Sequence, residues 1–200
     1  MTTNFLRIKV TNDKVKQFNS QGWKLCFASG VQAGGKTNYN VVASTHAIAG
    51  NITIQWTNSY AIAASQDAFN NGVIFNAATD IADIKFGQSY TLPPDWTNGN
   101  INNDPNAPKG GFRFINQTSG AAAVIYKRVD GQFAPIYFSA AAPLPKGSED
   151  LTPVEKVAVW FQASTATGTM ISDFTGEVKE VDMTGKNEAK LGYDGDWTQN

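Results

Sequence analysis

The sequence predicts an all-β protein: a Greek-key β-sandwich, or a barrel-like pair of sheets, in one domain running from residue 1 to residue 200. Three observations point there. Short apolar stretches with a two-residue period recur along the whole chain. Gly, Asn, Asp and Pro punctuate them at fairly regular intervals. Stretches with a helical period are almost absent, so the pattern allows at most one or two short helical turns among long polar loops.

Taken in order, the candidate strands begin with NFLRIKV (4–10) and WKLCFAS (23–29), followed by YNVVAS (39–44). NITIQWT (51–57) alternates cleanly. Ile52, Ile54 and Trp56 share one face, and Thr53, Gln55 and Thr57 share the other, the signature of a strand with one wet side. GVIFNA (72–77), GQSYTL (87–92), GFRFIN (111–116), AAAVIYKRV (121–129) and FAPIYFSA (133–140) follow. KVAVWFQ (156–162) alternates again, with Val157, Val159 and Phe161 opposite Ala158, Trp160 and Gln162. Trp23, Trp56 and Trp160 fall in these patterns and are expected in the core. Two places carry signals for a short helical turn, one a start and one a stop. Thr152, Pro153 and Glu155 form a capping-box pattern, and Ser65–Gly72 ends at a glycine. Pro93–Gly111 reads as a long polar loop without periodicity, and Lys146–Thr152 as a surface loop that is the best candidate for a boundary.

Composition narrows the function classes. Apolar residues are 42% of the chain, enough for a sizeable core, whereas charged residues are only 16%, so the surface relies on Asn, Gln, Ser, Thr and Gly. A net charge of −1 offers no basic stripe for phosphates, which argues against a nucleic-acid partner. It also gives little repulsion between copies, so a homo-oligomer is expected. No run is long and apolar enough for a transmembrane segment, and the first residues, MTTNFLRIKV, lack the pattern of a signal peptide. A single cysteine, Cys26, excludes an internal disulfide framework. Together these predict a cytoplasmic protein.

GVQAGGKT, Gly30–Thr37, fits the phosphate-binding P-loop pattern at every fixed position. A P-loop works because a helix opens at the Lys-Thr end and its N-terminus faces the phosphates. Here Lys36-Thr37 is followed by NYNVVAS, a weak helix former. The chain also lacks the amphipathic helices that cover a parallel sheet. The stretch is therefore expected to be a Gly-rich hairpin turn between Trp23–Ser29 and Tyr39–Ser44. His46 is the only histidine, so any Ser-His-Asp or Cys-His device has to use it; a strand-end position is the expected one. Ten of the 17 acids fall at or after Glu149, mostly among turn residues, and a glycoside-hydrolase pair is the least favoured alternative along with a nucleotide site.

Two polar stretches carry the binding candidates. In PPDWTNGNINNDPNAPKGG, Asp95, Asn98, Asn100, Asn102 and Asp104 include an every-other-residue oxygen series of the kind that ligates Ca²⁺, so calcium is a possible cofactor. The alternative is an Asn-rich turn bonded to itself. Near the C-terminus, Tyr193, Asp194, Asp196 and Trp197 repeat the acid-next-to-tryptophan pairing seen at Asp95-Trp96. A ring that stacks beside a carboxylate that accepts hydrogen bonds suits a sugar or an aromatic ligand. The expected function is thus non-enzymatic binding of a small organic molecule, aromatic or pigment-like, or of a carbohydrate. A lectin-like role and a membrane-attacking role, the latter through Ala61–Ala78, are the alternatives.

Overall fold

The computed structural model describes residues 1–174 and 176–200. The chain begins with β1 (Thr3–Val10), which buries Leu6, Ile8 and Val10 and turns Arg7 and Lys9 to solvent. A helix, α1 (Asn12–Ser20), follows at once. Thr11 precedes it in an extended conformation, Asp13 sits in its first turn, and Gly22 with φ 70° ends the turn that leaves it. Only Phe18 of this helix is buried; its ring stacks on Trp23 at 5.2 Å. The remaining elements are β2 (Trp23–Ala33), β3 (Lys36–Asn38), β4 (Ser44–His46), β5 (Asn51–Ser65), β6 (Ala82–Ile84), β7 (Gln88–Leu92), β8 (Asn100–Asn103) and β9 (Phe112–Asn116). Then come β10 (Ala122–Val129), β11 (Gln132–Phe138), β12 (Gly147–Ala163), β13 (Lys179–Asp182), β14 (Glu188–Tyr193) and β15 (Trp197–Gln199).

These strands make two mixed sheets packed face to face, and neither closes into a barrel among the described residues. The first runs β11-β10-β5-β1-β14-β15, with β6 added to the second half of β5. The second runs β3-β2-β12-β9-β7-β8, with β13 on β12 and β4 on β2. Pairing is antiparallel except for β1 with β14 and β7 with β9. Leu6, Ile8, Phe27, Ile54, Trp56, Phe112, Phe114, Ile125, Val159 and Leu191 form the apolar layer between the sheets.

Two long strands explain most of the architecture. β5 alternates in its first half, as its sequence predicts, but Tyr60–Ser65 is buried on both faces. Its outer face there is covered by Val41, Phe75 and Met170 from crossing loops, which pair at Val41–Met170 and Ile74–Thr169. Asn40 pins this layer to the free end of β11, donating to the Phe138 carbonyl and accepting from its amide. β12 pairs with β9 in its first part and with β2 in its second. The partner changes between Leu151 and Thr152, and the pairing with β2 breaks register further on, between Pro153 and Val157; proline cannot donate to a ladder, and a bulge is the usual result.

Several expectations from sequence are corrected. Asn12–Ser20 is helical although it carries one buried apolar side chain. The capping-box segment Thr152–Glu155 is strand, because Thr152 and Pro153 pair with Gln32 and Val31. Lys146–Thr152 is not a loop beyond its first residue; Gly147–Leu151 pairs with β9. GVIFNA forms only the isolated Ile74 bridge, and Tyr39–Ala43 likewise only the Val41 bridge. Ser65–Gly72 is not helical; its end is a turn closed by the Val73 amide on the Asn70 carbonyl. The loop Pro93–Gly111 contains β8, whose four residues, three Asn and Ile101, pair with β7.

Candidate functional site

Gly30–Thr37 is a hairpin. Val31, Gln32 and Ala33 pair with Asn38, Thr37 and Lys36, and Gly34-Gly35 make the two-residue turn with φ values of 60° and 78°. Both glycines are required by that left-handed backbone. Gly30 is required by crowding: a Cβ there would lie 2.8 Å from Val154 Cγ2 and 3.1 Å from the Tyr39 ring. No helix begins at Lys36-Thr37, so the segment lacks the helix N-terminus a phosphate cradle needs.

His46 ends β4. Ser44 Oγ lies 2.9 Å from its Nε2 and Asp130 Oδ2 lies 3.7 Å from the same nitrogen. A hydrolytic triad needs the hydroxyl and the carboxylate on opposite ring nitrogens. Here both address one, and burial pushes the imidazole pKa down against the pull of Asp130. Glu149 is the most enclosed carboxylate of the C-terminal third. It accepts from Tyr137 Oη at 3.0 Å and from Ser139 Oγ at 2.7 Å, tying β12 to the end of β11, while burial pushes its carboxyl above the usual range. The neighbouring Asp150 is committed to Arg113, 2.9 Å away.

The candidate binding residues fall into two places. Trp197 and Tyr193, on the paired β15 and β14, join a closed aromatic end. The Trp197 ring stacks on Phe161 at 5.1 Å, and Tyr193 meets both rings edge-on at 4.8 and 4.9 Å. Asp194 and Asp196 are exposed and bonded to each other's backbone across the turn. Tyr193 and Asp194 also border a shallow groove with Lys9, Thr11, Asn51 and Thr198. Trp96, with φ 61°, packs its half-buried side chain against the interlayer core ahead of β8, at the other sheet's edge. Trp23 is half-buried, whereas Trp56 and Trp160 are buried as their strand patterns predict.

Three side chains of the Asp/Asn series, Asp95, Asn98 and Asp104, are turned to local partners. Asp95 Oδ1 accepts from the Thr97 amide and hydroxyl, which holds its carboxyl below the usual range. Asn98 bonds reciprocally with Asp80, and Asp104 accepts from the Asn106 amide. Asn100 and Asn102 lie on β8, opposite Thr91 and Ser89. The loop is anchored by Gly99, which rests on the Tyr90 ring and donates its amide to the Tyr90 hydroxyl at 3.0 Å. Among the described residues no group of three or more His, Cys, Asp or Glu side chains comes together.

A different cluster forms an open site. Tyr60 near the middle of β5, Phe86 after β6 and Phe112 at the start of β9 stand in a triangle with centroids 5.5–5.6 Å apart. Phe133 on β11 lies nearby, its ring covered by the Arg128 guanidinium at 4.5 Å. Tyr60, Phe86, Phe133 and Arg128, with Asp83 and Lys85 of the β6 segment, line a pocket of about 320 Å³. Phe86 is 52% exposed at its mouth, a large apolar cost left standing in water. Sequence reasoning missed this site because its residues come from four separated stretches. One local signal existed: Phe86 interrupts the polar turn that Gly87 closes with φ 82°.

The fold and site thus define a two-sheet β protein with an aromatic surface pocket and a closed aromatic end. Compared with protein-family models, with curated proteins and with solved structures, the chain matches none of them.

Proposed function

We propose that the protein binds, without catalysis, a small organic molecule carrying an aromatic ring, in the pocket formed by Tyr60, Phe86, Phe133 and Arg128. The observation that carries this reading is Phe86, more than half exposed yet held in ring contact with Tyr60 and Phe112. A side chain so placed offers a preformed flat wall. The pocket's volume falls in the range of small-molecule sites. Arg128 and Lys85 at its rim favour a ring that also bears an anionic group, and Asp83 allows a polar substituent beside it. A cytoplasmic setting belongs to the same reading: Cys26 is a free thiol, fully buried, and its pKa is pushed up to about 12, so it stays a plain apolar packing group.

The test uses 8-anilinonaphthalene-1-sulfonate, an aromatic anion whose emission rises in apolar surroundings. The folded protein is expected to bind it saturably, and Phe86→Ala to weaken binding by about tenfold or more, equivalent to ~1.4 kcal/mol. Absence of saturable binding, or equal affinity in the variant, removes the reading.

A further inference from the structure

Lys127 and Glu149 are two ionisable side chains held inside the fold with no ion-pair partner among the described residues. Lys127 of β10 is sealed. It is 2% exposed, its Nζ donates to Ser29 Oγ of the facing sheet at 3.1 Å, and the crevice beside it has room for one water-sized molecule. Burial pushes its ammonium pKa down to about 8, with Glu155 pulling the other way. Glu149 of β12 differs in one respect: it lines a pocket that opens to solvent.

That pocket, of about 170 Å³, is lined by Phe114 and Asn116 of β9, by Leu144 and Pro145, and by the start of β12 as far as Glu149. Pro145–Ser148 along it are exposed. Its walls are fixed by bonds. Asn116, 3% exposed, donates to the Leu144 and Pro145 carbonyls at 2.9 and 3.0 Å and accepts from the Thr118 amide and hydroxyl. Glu149 lies opposite Phe114 in the β12–β9 register, and its two oxygens accept one hydroxyl each, from the buried Tyr137 of β11 and Ser139 just beyond it. Both donors are neutral, and each carboxylate oxygen keeps a lone pair for a further donor. No charged neighbour neutralises the group. Lys146 borders the pocket but is exposed and forms no ion pair with it, while Arg113 of β9 and Asp150 of β12 pair with each other. Burial without a counter-charge pushes the Glu149 carboxyl above its usual range, against the pull of the two hydroxyls.

We propose that this pocket binds a small primary ammonium ion carrying a short apolar chain, with Glu149 as its counter-charge. The ammonium donates to the carboxylate, a charge-assisted bond in a partly dry site. The chain lies against Phe114, Leu144 and Pro145, the apolar part of the lining. The volume is below the range of drug-sized ligand sites, which limits the ligand to a head group and a few carbons. A divalent metal suits the pocket less well, because it wants six or more oxygens and Glu149 is the single carboxylate along the lining. The site shares no lining residue with the aromatic pocket at Phe86, so the two readings stand or fall separately.

The test is an amide NMR titration of the full-length chain with n-butylammonium chloride at constant ionic strength, with n-butanol and sodium butyrate as matched neutral and anionic probes. The ammonium is expected to give saturable shifts at Phe114–Asn116 and Lys146–Glu149, with n-butanol at least about tenfold weaker and butyrate without effect. Glu149→Gln keeps the shape and removes the charge, and it is expected to weaken ammonium binding about tenfold or more. Acidification has the same direction. A carboxyl raised above 4.5 is more than half protonated at pH 4.5, so the affinity there is at least about twofold below that near pH 7, while the probe stays charged throughout. Equal affinity for n-butanol in the parent protein, which needs no variant, overturns the proposal. So do saturable butyrate binding at these amides, an affinity that does not change between the two pH values, and ammonium shifts that do not saturate or that centre on Phe86.

Discussion

Two of this protein's aromatic clusters, built from the same residue types, differ in what finishes them. At one end Phe18, Trp23, Phe161, Tyr193 and Trp197 stack on one another, and the partners of each ring come from the chain itself. In the other, Tyr60 and Phe112 are covered but Phe86 keeps one side bare, and Arg128 rather than a further ring closes over Phe133. The first cluster closes the sandwich. The second leaves a wall that lacks an internal partner. Aromatic content alone does not separate these roles; completion of the stack does.

The difference can be broken most forcefully from the closed end. Phe161 is 5% exposed and touches Phe18, Tyr193 and Trp197, so Phe161→Ala is expected to cost roughly 3–5 kcal/mol in urea unfolding. A loss below ~1 kcal/mol would mean that this end is not a packed closure.

A second contrast is charge. The open cluster is backed by Lys127 through Tyr60, and the described residues of the closed one enclose no such ammonium. The folded-state pKa of about 8 lies below the ordinary value of 10.5, so between those values the unfolded chain binds more protons than the folded one. Stability therefore rises with pH across that window, by up to about 3 kcal/mol, before tyrosine ionisation in the unfolded chain reverses the trend. Denaturant unfolding between pH 8 and 9.5 should show the rise. Lys127→Met should abolish it and raise stability near neutral pH, since replacing a buried unpaired charge by an apolar chain of similar length removes its desolvation cost. A flat profile in the parent protein would contradict the burial argument.

Smaller again is Phe86→Ala, expected to cost under ~1 kcal/mol of stability, because half of the ring is already in water. A loss as large as that at Phe161 would place Phe86 in the closed class. The smallest effect is expected far from both clusters. Lys36→Ala in the Gly34-Gly35 hairpin should change stability by less than ~0.5 kcal/mol, and Mg·ATP should leave the melting temperature of the parent unshifted. A ligand-dependent rise would reinstate a nucleotide site at Gly30–Thr37.

How far the sequence spoke follows the same physical line. Strands with one wet face were legible: Ile52, Ile54 and Trp56 alternate with polar neighbours because one side meets the core. That Gly30–Thr37 is a hairpin was legible too, since Gly-Gly supplies the turn and the residues after it resist helix, but its return arm is Lys36–Asn38 and not the expected Tyr39–Ser44. The helix Asn12–Ser20 was not, because its single buried residue, Phe18, gives no period to read. β8 was hidden for a related reason: Asn100–Asn103 is held by backbone pairing to β7 and shows nothing apolar on either face beyond Ile101. The aromatic pocket lay beyond any local reading. Tyr60, Phe86 and Phe133 meet only because β6 and β10 flank β5 and β11 continues from β10. Trp197 beside Asp196 was visible as a pair, but its stack on Phe161 depends on a distant strand.

The most direct measurement is an amide NMR titration of the ¹⁵N-labelled protein with 8-anilinonaphthalene-1-sulfonate, which views both clusters in one experiment. The account predicts saturable shifts confined to Asn58–Tyr60, Asp83–Phe86 and Arg128–Phe133, with Tyr193–Gln199 undisturbed. Shifts centred on Tyr193–Gln199, or scattered over the surface without saturation, would contradict it.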